Sequence, residues 1–283
     1  YDVQIVRLIH GDTNPEGPGY KEEEIGASCN GNYEGRNQKI HGGSYIVIPQ
    51  DNRFNTESFT LQAYVFPTTP DKGRQGLLTK WNENNNSGYG VFIDDNACLS
   101  VMIGDGDGQV FNLSSEKKLM RKVWYLVAAS YNSETGKVIL YQEPCVTPTN
   151  GGLGMSLLHP AEETTALVEG TNNVKPGIND APFLMAASTV KERSGRNISG
   201  GHYKEAINPV ELPEQGFVYN GKIDRPRLSN QALTKAEIES LANSYTACPS
   251  DLRAKVVGAW DFHANITKNI ASTFIVDTSP SHL

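Results

Sequence analysis

Phe217-Val-Tyr-Asn-Gly-Lys-Ile-Asp-Arg-Pro-Arg-Leu-Ser-Asn-Gln-Ala-Leu-Thr-Lys-Ala-Glu-Ile-Glu-Ser-Leu241 carries three local signals in a fixed order: strand, turn and capped helix. Phe217, Tyr219, Ile223 and Leu228 give the stretch the apolar and aromatic weight of a strand, and Asn220-Gly221 supplies a turn. Pro226 has no N–H to give to a ladder, so it marks a strand with a free edge. The period then changes. Thr234 followed three residues later by Glu237 is a capping box, in which each side chain satisfies the other's free backbone N–H. Leu233, Ile238 and Leu241 fall on one face of the short helix this box opens, near residues 234–243.

Most of the rest of the chain reads as strands. From Phe59 to Phe66 the residues alternate, with Phe59, Leu61, Ala63 and Val65 on one face and Thr60, Gln62, Tyr64 and Phe66 on the other. Gly76–Trp81, Tyr89–Ile93 and Leu99–Ile103 follow as a meander, broken by polar turns at Asn82–Gly88 and Asp94–Asn96. Trp124–Tyr131 is almost continuously apolar, and Asn132–Gly136 turns it into Lys137–Tyr141, with Gly136 supplying the positive φ of a hairpin loop. Pro182–Ala187 is a further strand, between irregular stretches from Pro144 to Asp180 and from Ser188 to Gly216. Irregular stretches this long inside one domain are usually functional or packed against another chain. The expected fold is all-β: a two-sheet antiparallel jelly-roll sandwich with one short helix and long irregular loops.

The length of 283 residues suits one large sandwich, and the expected organisation is a single module over residues 1–283. Val256–Phe262 and Ile275–Pro280 either close that sandwich late or lead, over residues 256–283, towards a following domain. The chain begins at Tyr1 without Met and ends in a turn after Val276, which reads as a piece of something longer. No run of about 18 apolar residues is present to span a bilayer. A net charge of −7 argues against a sequence-independent hold on nucleic acid, which needs a basic footprint. Cys29, Cys98, Cys145 and Cys248 form no C-x-x-C pair, and isolated thiols of a cytoplasmic protein are the simpler reading over two disulfides.

Catalytic motifs are missing. There is no G-x-S-x-G elbow, H-E-x-x-H, P-loop or dinucleotide fingerprint, and the six histidines are dispersed. Glycosidases on sandwich folds set two carboxylates at alternate positions of one strand, and no strand is read here with such a pair. Calcium, which takes oxygen ligands from Asp, Asn and loop carbonyls, is the best metal candidate, with Asp94, Asp105 and Asp107 as the weak candidate ligands. Asp105 and Glu116 have the spacing of the first and last ligands of an EF-hand. Val110, standing where that loop needs Gly, and Gln109 break the match, leaving Asp- and Gly-rich hairpin turns as the plainer reading. Tyr33, Tyr64, Trp81, Tyr89 and Tyr203 could line a sugar platform, although Tyr64 and Tyr89, being on strands, fit better beneath a loop or a neighbouring subunit. Glu22-Glu-Glu24 reads as a solvated patch unless a basic partner covers it.

The strand-turn-helix phrase, as Gly221-Lys-Ile-Asp-Arg-Pro-Arg-Leu-Ser-Asn-Gln-Ala-Leu-Thr234, resembles the one that closes the second sheet of laminin-G-like and concanavalin-like lectin modules. A narrower resemblance lies in Val6-Arg-Leu-Ile-His-Gly-Asp12, Lys21-Glu-Glu-Glu24, His41–Pro49, Thr60–Thr68, Trp124–Tyr131 and Leu140-Tyr-Gln-Glu-Pro144. These segments resemble the N-terminal lectin-like region of the large subunit of bacterial N,N-dimethylformamidases. The resemblance implies an iron-dependent amidase that cleaves dimethylformamide to dimethylamine and formate. It places the iron, held by Tyr and Glu side chains, in a later domain, so no catalytic or cofactor-binding residue carries over to this segment. The segment would be a non-catalytic module packing against the catalytic domain, the small subunit and other large subunits. The rival expectation is an autonomous calcium-dependent carbohydrate-binding lectin domain.

Overall fold

In a computed structural model, which describes residues 2–12, 16–28, 30–32, 45–145, 162–191, 215–244, 249–262 and 275–280, the chain divides into two compact units, Tyr1–His41 and Gly42–Leu283. In the smaller unit β1 (Asp2–Val3) pairs with β4 (Gly31–Asn32), and β2 (Val6–Gly11) forms a hairpin with β3 (Tyr20–Glu24). Asn30 ties the base of that hairpin, accepting from the Ile5 N–H and donating to the Ile25 carbonyl, both at 2.8 Å. Because Tyr20–Glu24 is a strand, Glu22 and Glu24 do alternate on one face, contrary to the expectation that no strand carries such a pair. Both are exposed on a hairpin rather than set in a groove, so the geometry a glycosidase needs is not reproduced.

The larger unit is an antiparallel sandwich. Its first sheet runs β10 (Val110–Lys118), β9 (Cys98–Asp105), β8 (Ser87–Ile93), β7 (Gln75–Asn82), β14 (Phe183–Met185) and β5 (Ile46–Ile48). The second runs β13 (Ala166–Thr171), β12 (Lys137–Pro144), β11 (Tyr125–Tyr131), β6 (Phe59–Pro67), β17 (Gly221–Ser229) and β18 (Val256–Ala259). A short pair, β15 (Ser188–Thr189) with β16 (Gln215–Gly216), belongs to neither ladder but rests on β7, where Thr189 Oγ1 donates to the Trp81 carbonyl at 2.7 Å.

The alternation of β6 decides which side chains meet between the sheets. Phe59, Leu61, Ala63 and Val65 join Tyr89 and Val91 of β8, Val101 and Ile103 of β9, and Val127, Ala129 and Tyr131 of β11 in one buried cluster. The Phe59 and Tyr89 rings stack at 4.2 Å, and Phe183 stacks on Phe54 at 5.3 Å and on Trp260 at 5.7 Å. The outer face of the second sheet is covered by helix α1 (Lys235–Asn243), whose Ile238 and Leu241 pack with Leu233 on Leu126, Ala128 and Tyr141. Both halves of the Thr234/Glu237 capping box are formed, and Arg227 of β17 closes the other helix end by donating to the Leu241 and Ser244 carbonyls.

Several expectations need correction. Pro226 does not mark a free edge, since β17 lies between β6 and β18. The ladder shifts register between Asp224 and Arg227, Arg225 takes a φ of 47°, and the proline sits in that bulge, where no ladder N–H is asked of it. Its carbonyl still accepts from the Trp260 N–H at 3.1 Å. The strand of the opening stretch starts only at Gly221, after the turn, and Phe217 has a φ of 46°. β13 lies inside the stretch read as irregular, and β10 runs along Val110–Lys118, just after the Asp105–Gly108 turn, where no strand was expected. β18 forms the outer strand of the second sheet, and Trp260 bridges to Asp277. No helix among the described residues is long and apolar enough to cross a membrane.

Candidate functional site around Lys80

Strand alternation turns Lys80 of β7 inward beside its cross-strand partner Tyr89, and the lysine is fully buried. A bare ammonium there would cost several kcal/mol in lost hydration. Four oxygens surround it instead. Lys80 Nζ donates to Gln50 Oε1 at 2.7 Å, to the Asn179 carbonyl at 2.8 Å, to Asn179 Oδ1 at 2.9 Å and to the Ala181 carbonyl. Burial pushes its pKa down to about 8, against a smaller upward pull from Asp180, so the group remains charged at neutral pH.

The lysine thereby holds the segment between β13 and β14 in place. Asn179 also donates to the Ser87 carbonyl at 3.0 Å, and Gly177 N–H donates to the Gly104 carbonyl at 2.8 Å. Two glycines make this approach possible. A Cβ on Gly88, whose φ is 102°, would lie 2.0 Å from the Lys80 carbonyl, and one on Gly177 would lie 2.2 Å from the Asp105 carbonyl. The anchored segment leaves Ile178 82% exposed.

Asn55 Oδ1 accepts from the Asn179 N–H at 3.4 Å and also lines an open depression of about 620 Å³. Arg53, Glu57, Asn132, Asn230 and Gln231 contribute to its polar wall. Arg53 is held by Asp51 at 2.8 Å, which keeps the Asp51 carboxyl at about 2, and Lys175 stands 3.7 Å from Glu57. These amides and hydroxyls offer hydrogen bonds to a polar surface. No group of three His, Cys, Asp or Glu suited to a metal occurs among the described residues.

On the outer side of the first sheet, Arg74 and Glu83 form an ion pair at 2.5 Å. The Arg74 guanidinium lies over the rings of Phe217 at 4.1 Å and Phe92 at 5.0 Å, and Glu83 also accepts from Trp81 Nε1 at 2.6 Å.

The calcium candidates are not gathered. Asp94 and Asp105 lie at opposite ends of β9, each closing its own hairpin turn. Asp94 Oδ1 accepts from the Asn96 and Cys98 N–H groups and its Oδ2 from Ser114 Oγ, all at 2.8–2.9 Å. Asp105 Oδ1 accepts from the N–H groups of Asp107 at 2.8 Å and Gln109 at 3.0 Å, while the Asp107 side chain is exposed. The aromatic residues form no common platform either. Trp81 and Tyr89 are buried, with the Tyr89 hydroxyl donating to the Phe54 carbonyl at 2.8 Å. Tyr64 donates to the Ala242 carbonyl at 3.2 Å under α1, and Tyr33 and Tyr203 lie outside the described residues.

The comparisons with known proteins give this geometry its setting. Residues 41–144 match the concanavalin A-like lectin/glucanases superfamily. Over 283 residues the chain is 32% identical to the N,N-dimethylformamidase beta subunit of Alcaligenes sp. It is equally similar, at 32% over 283 residues, to that of Paracoccus aminophilus. Each match covers 99% of this chain and 34% of the relative, so the chain spans about a third of the length of the curated relatives it matches. A solved candidate carbohydrate-binding protein of Bacteroides ovatus ATCC 8483 shares the fold, with a TM-score of 0.50, 16% identity, and coverage of 83% of this chain and 53% of that one.

The chain is thus a concanavalin-like sandwich similar along its length to a dimethylformamidase subunit, and its most unusual interior group, Lys80, was not singled out from the sequence. In Gly76-Leu-Leu-Thr-Lys-Trp81 the lysine sits between a threonine and a tryptophan in an otherwise apolar strand, which is the one local hint of burial. Burial raises the thiol pKa values of Cys98 and Cys145, that of Cys145 to about 11, so neither is poised as a thiolate. Cys29 and Cys248 lie outside the described residues, as do all the histidines except the exposed His10.

Proposed function

We propose that residues 1–283 are the non-catalytic lectin-like module of the large subunit of an N,N-dimethylformamidase-like, iron-dependent amide hydrolase acting in the cytoplasm. The complete protein would hydrolyse dimethylformamide to dimethylamine and formate. The iron and the catalytic residues would belong to sequence outside this segment, and the module would serve in packing of domains and subunits. The observation that carries the reading is 32% identity sustained over 283 residues, along 99% of the chain, with a subunit of that name. The buried Lys80 and the polar contacts around it suit a structural role, because they rigidify a segment rather than present a reactive group.

The test is to express the longer polypeptide with its small companion subunit, assay dimethylamine release from dimethylformamide, and measure metal content. Iron together with turnover supports the proposal. A metal-free protein inactive on small amides overturns it, and glycan binding that is lost in chelator would then favour the carbohydrate-binding alternative.

A further inference from the structure

Five of the ten large apolar side chains that stand exposed among the described residues fall in the Tyr1–His41 unit: Ile5 (41%), Leu8 (57%), Ile9 (41%), Tyr20 (64%) and Ile25 (39%). They are carried by the β2–β3 hairpin and its base, and among the described residues of the unit no second layer covers either face of that hairpin. A two-stranded hairpin is marginal in water until a face is buried, and exposed apolar side chains such as Leu8 and Tyr20, which share one face of this hairpin, mark interaction sites.

We infer that the β2–β3 hairpin docks, through the face bearing Leu8 and Tyr20, onto a basic-rimmed apolar surface of the same longer polypeptide, outside residues 1–283. The inference rests on the proposed function and names the element through which the module would pack. The length of the relatives supports this occupant, since the chain matches 34% of them and two thirds of such a polypeptide remain to be packed.

The register supplies the chemistry. Leu8 stands opposite Glu22, and Val6 opposite Glu24, so Leu8, Tyr20, Glu22 and Glu24 share a face on which no Lys or Arg lies. The cations Arg7 and Lys21 are on the other face, with Arg7 opposite Glu23. Glu22 accepts from the Tyr20 hydroxyl at 2.6 Å, and Glu24 accepts from Gln4 at 2.8 Å and Asn30 at 3.2 Å. These neutral donors orient the carboxylates without cancelling their charge. Two copies of this face would set carboxylate against carboxylate, whereas an apolar recess edged by Lys and Arg satisfies both the leucine-tyrosine pair and the charge.

The experiment places a photo-crosslinking residue, p-benzoylphenylalanine, at position 8 of the longer polypeptide assembled with its companion subunit, and identifies the captured peptides by mass spectrometry. The expected product is an intrachain cross-link to a peptide beyond residues 1–283. In the double variant Glu22→Lys/Glu24→Lys its yield should fall at least about tenfold, because like charges would then face each other. Cross-links confined to residues 1–283, cross-links only to the companion subunit or to a second copy, no cross-link, or a yield unchanged in the lysine variant would each overturn the inference. Dimethylformamide turnover measured on the same preparation separates the two claims. Turnover without the expected cross-link defeats the docking alone, and the cross-link without turnover defeats the amidase reading alone.

Discussion

Lys80 is where a single side chain bears most on this structure. Its folded pKa of about 8 lies below the ordinary lysine value, so the fold penalises the charged form. That penalty, about 3 kcal/mol from the size of the shift, is fully present below pH 8 and fades as pH rises towards 10.5. Stability in urea should therefore rise between pH 7.5 and 9.5, by less than the full penalty because the Cys98 and Cys145 thiols, whose pKa values burial raises, begin to ionise in the unfolded chain alone over this range. Above about pH 10 the buried tyrosines Tyr89 and Tyr219, whose pKa values burial raises, oppose the trend because only the unfolded chain then ionises. In Lys80→Met the rise should flatten. That variant should also be less stable at pH 7, by about 1–3 kcal/mol, as its former acceptors are left unpaired. A wild-type midpoint that is flat or falling over this pH range would contradict the assignment. The turn aspartates make a separate test: Asp94→Asn and Asp105→Asn should each cost about 1 kcal/mol, with a thermal midpoint insensitive to calcium or chelator in wild type and variants alike.

Elements differed in how plainly the sequence announced them. The β6 alternation and the α1 capping box were legible because both rest on contacts within a few residues, and Phe59, Leu61, Ala63 and Val65 do face the core. β10 and β13 were not, because they are the outer strands of their sheets and are mostly half-exposed or exposed, so no strong apolar period survives in them. The position of Pro226 was misread because a bulge excuses a missing N–H as well as an edge does. The Lys80 site escaped for a different reason: its acceptors lie 30 residues before it and 99–101 residues after it in sequence. At this scale Thr234→Ala should lower stability by about 1 kcal/mol and speed amide exchange in α1. Arg225→Gly, relieving the positive φ in the bulge, should raise stability by about 0.5–1 kcal/mol. Urea midpoints for the two variants that move in the same direction would contradict one of these local accounts.

For the molecule as a whole, burial predicts an order of opening. The interior strands β6 and β11 supply fully buried core and have hydrogen-bonded neighbours on both sides, so their amides should exchange last. The outer strands β5 and β13 should exchange earlier, as hydrogen-exchange mass spectrometry can establish. The strand order of the second sheet also bears on synthesis. One long side of β6 is completed by β17, pairing Pro67 with Gly221. At ordinary translation rates the intervening stretch of about 150 residues takes roughly 10–30 s to emerge from a ribosome. Throughout that interval a nascent β6 would present one unsatisfied, β-prone margin, which makes this chain a candidate client for chaperones that shield such margins during translation.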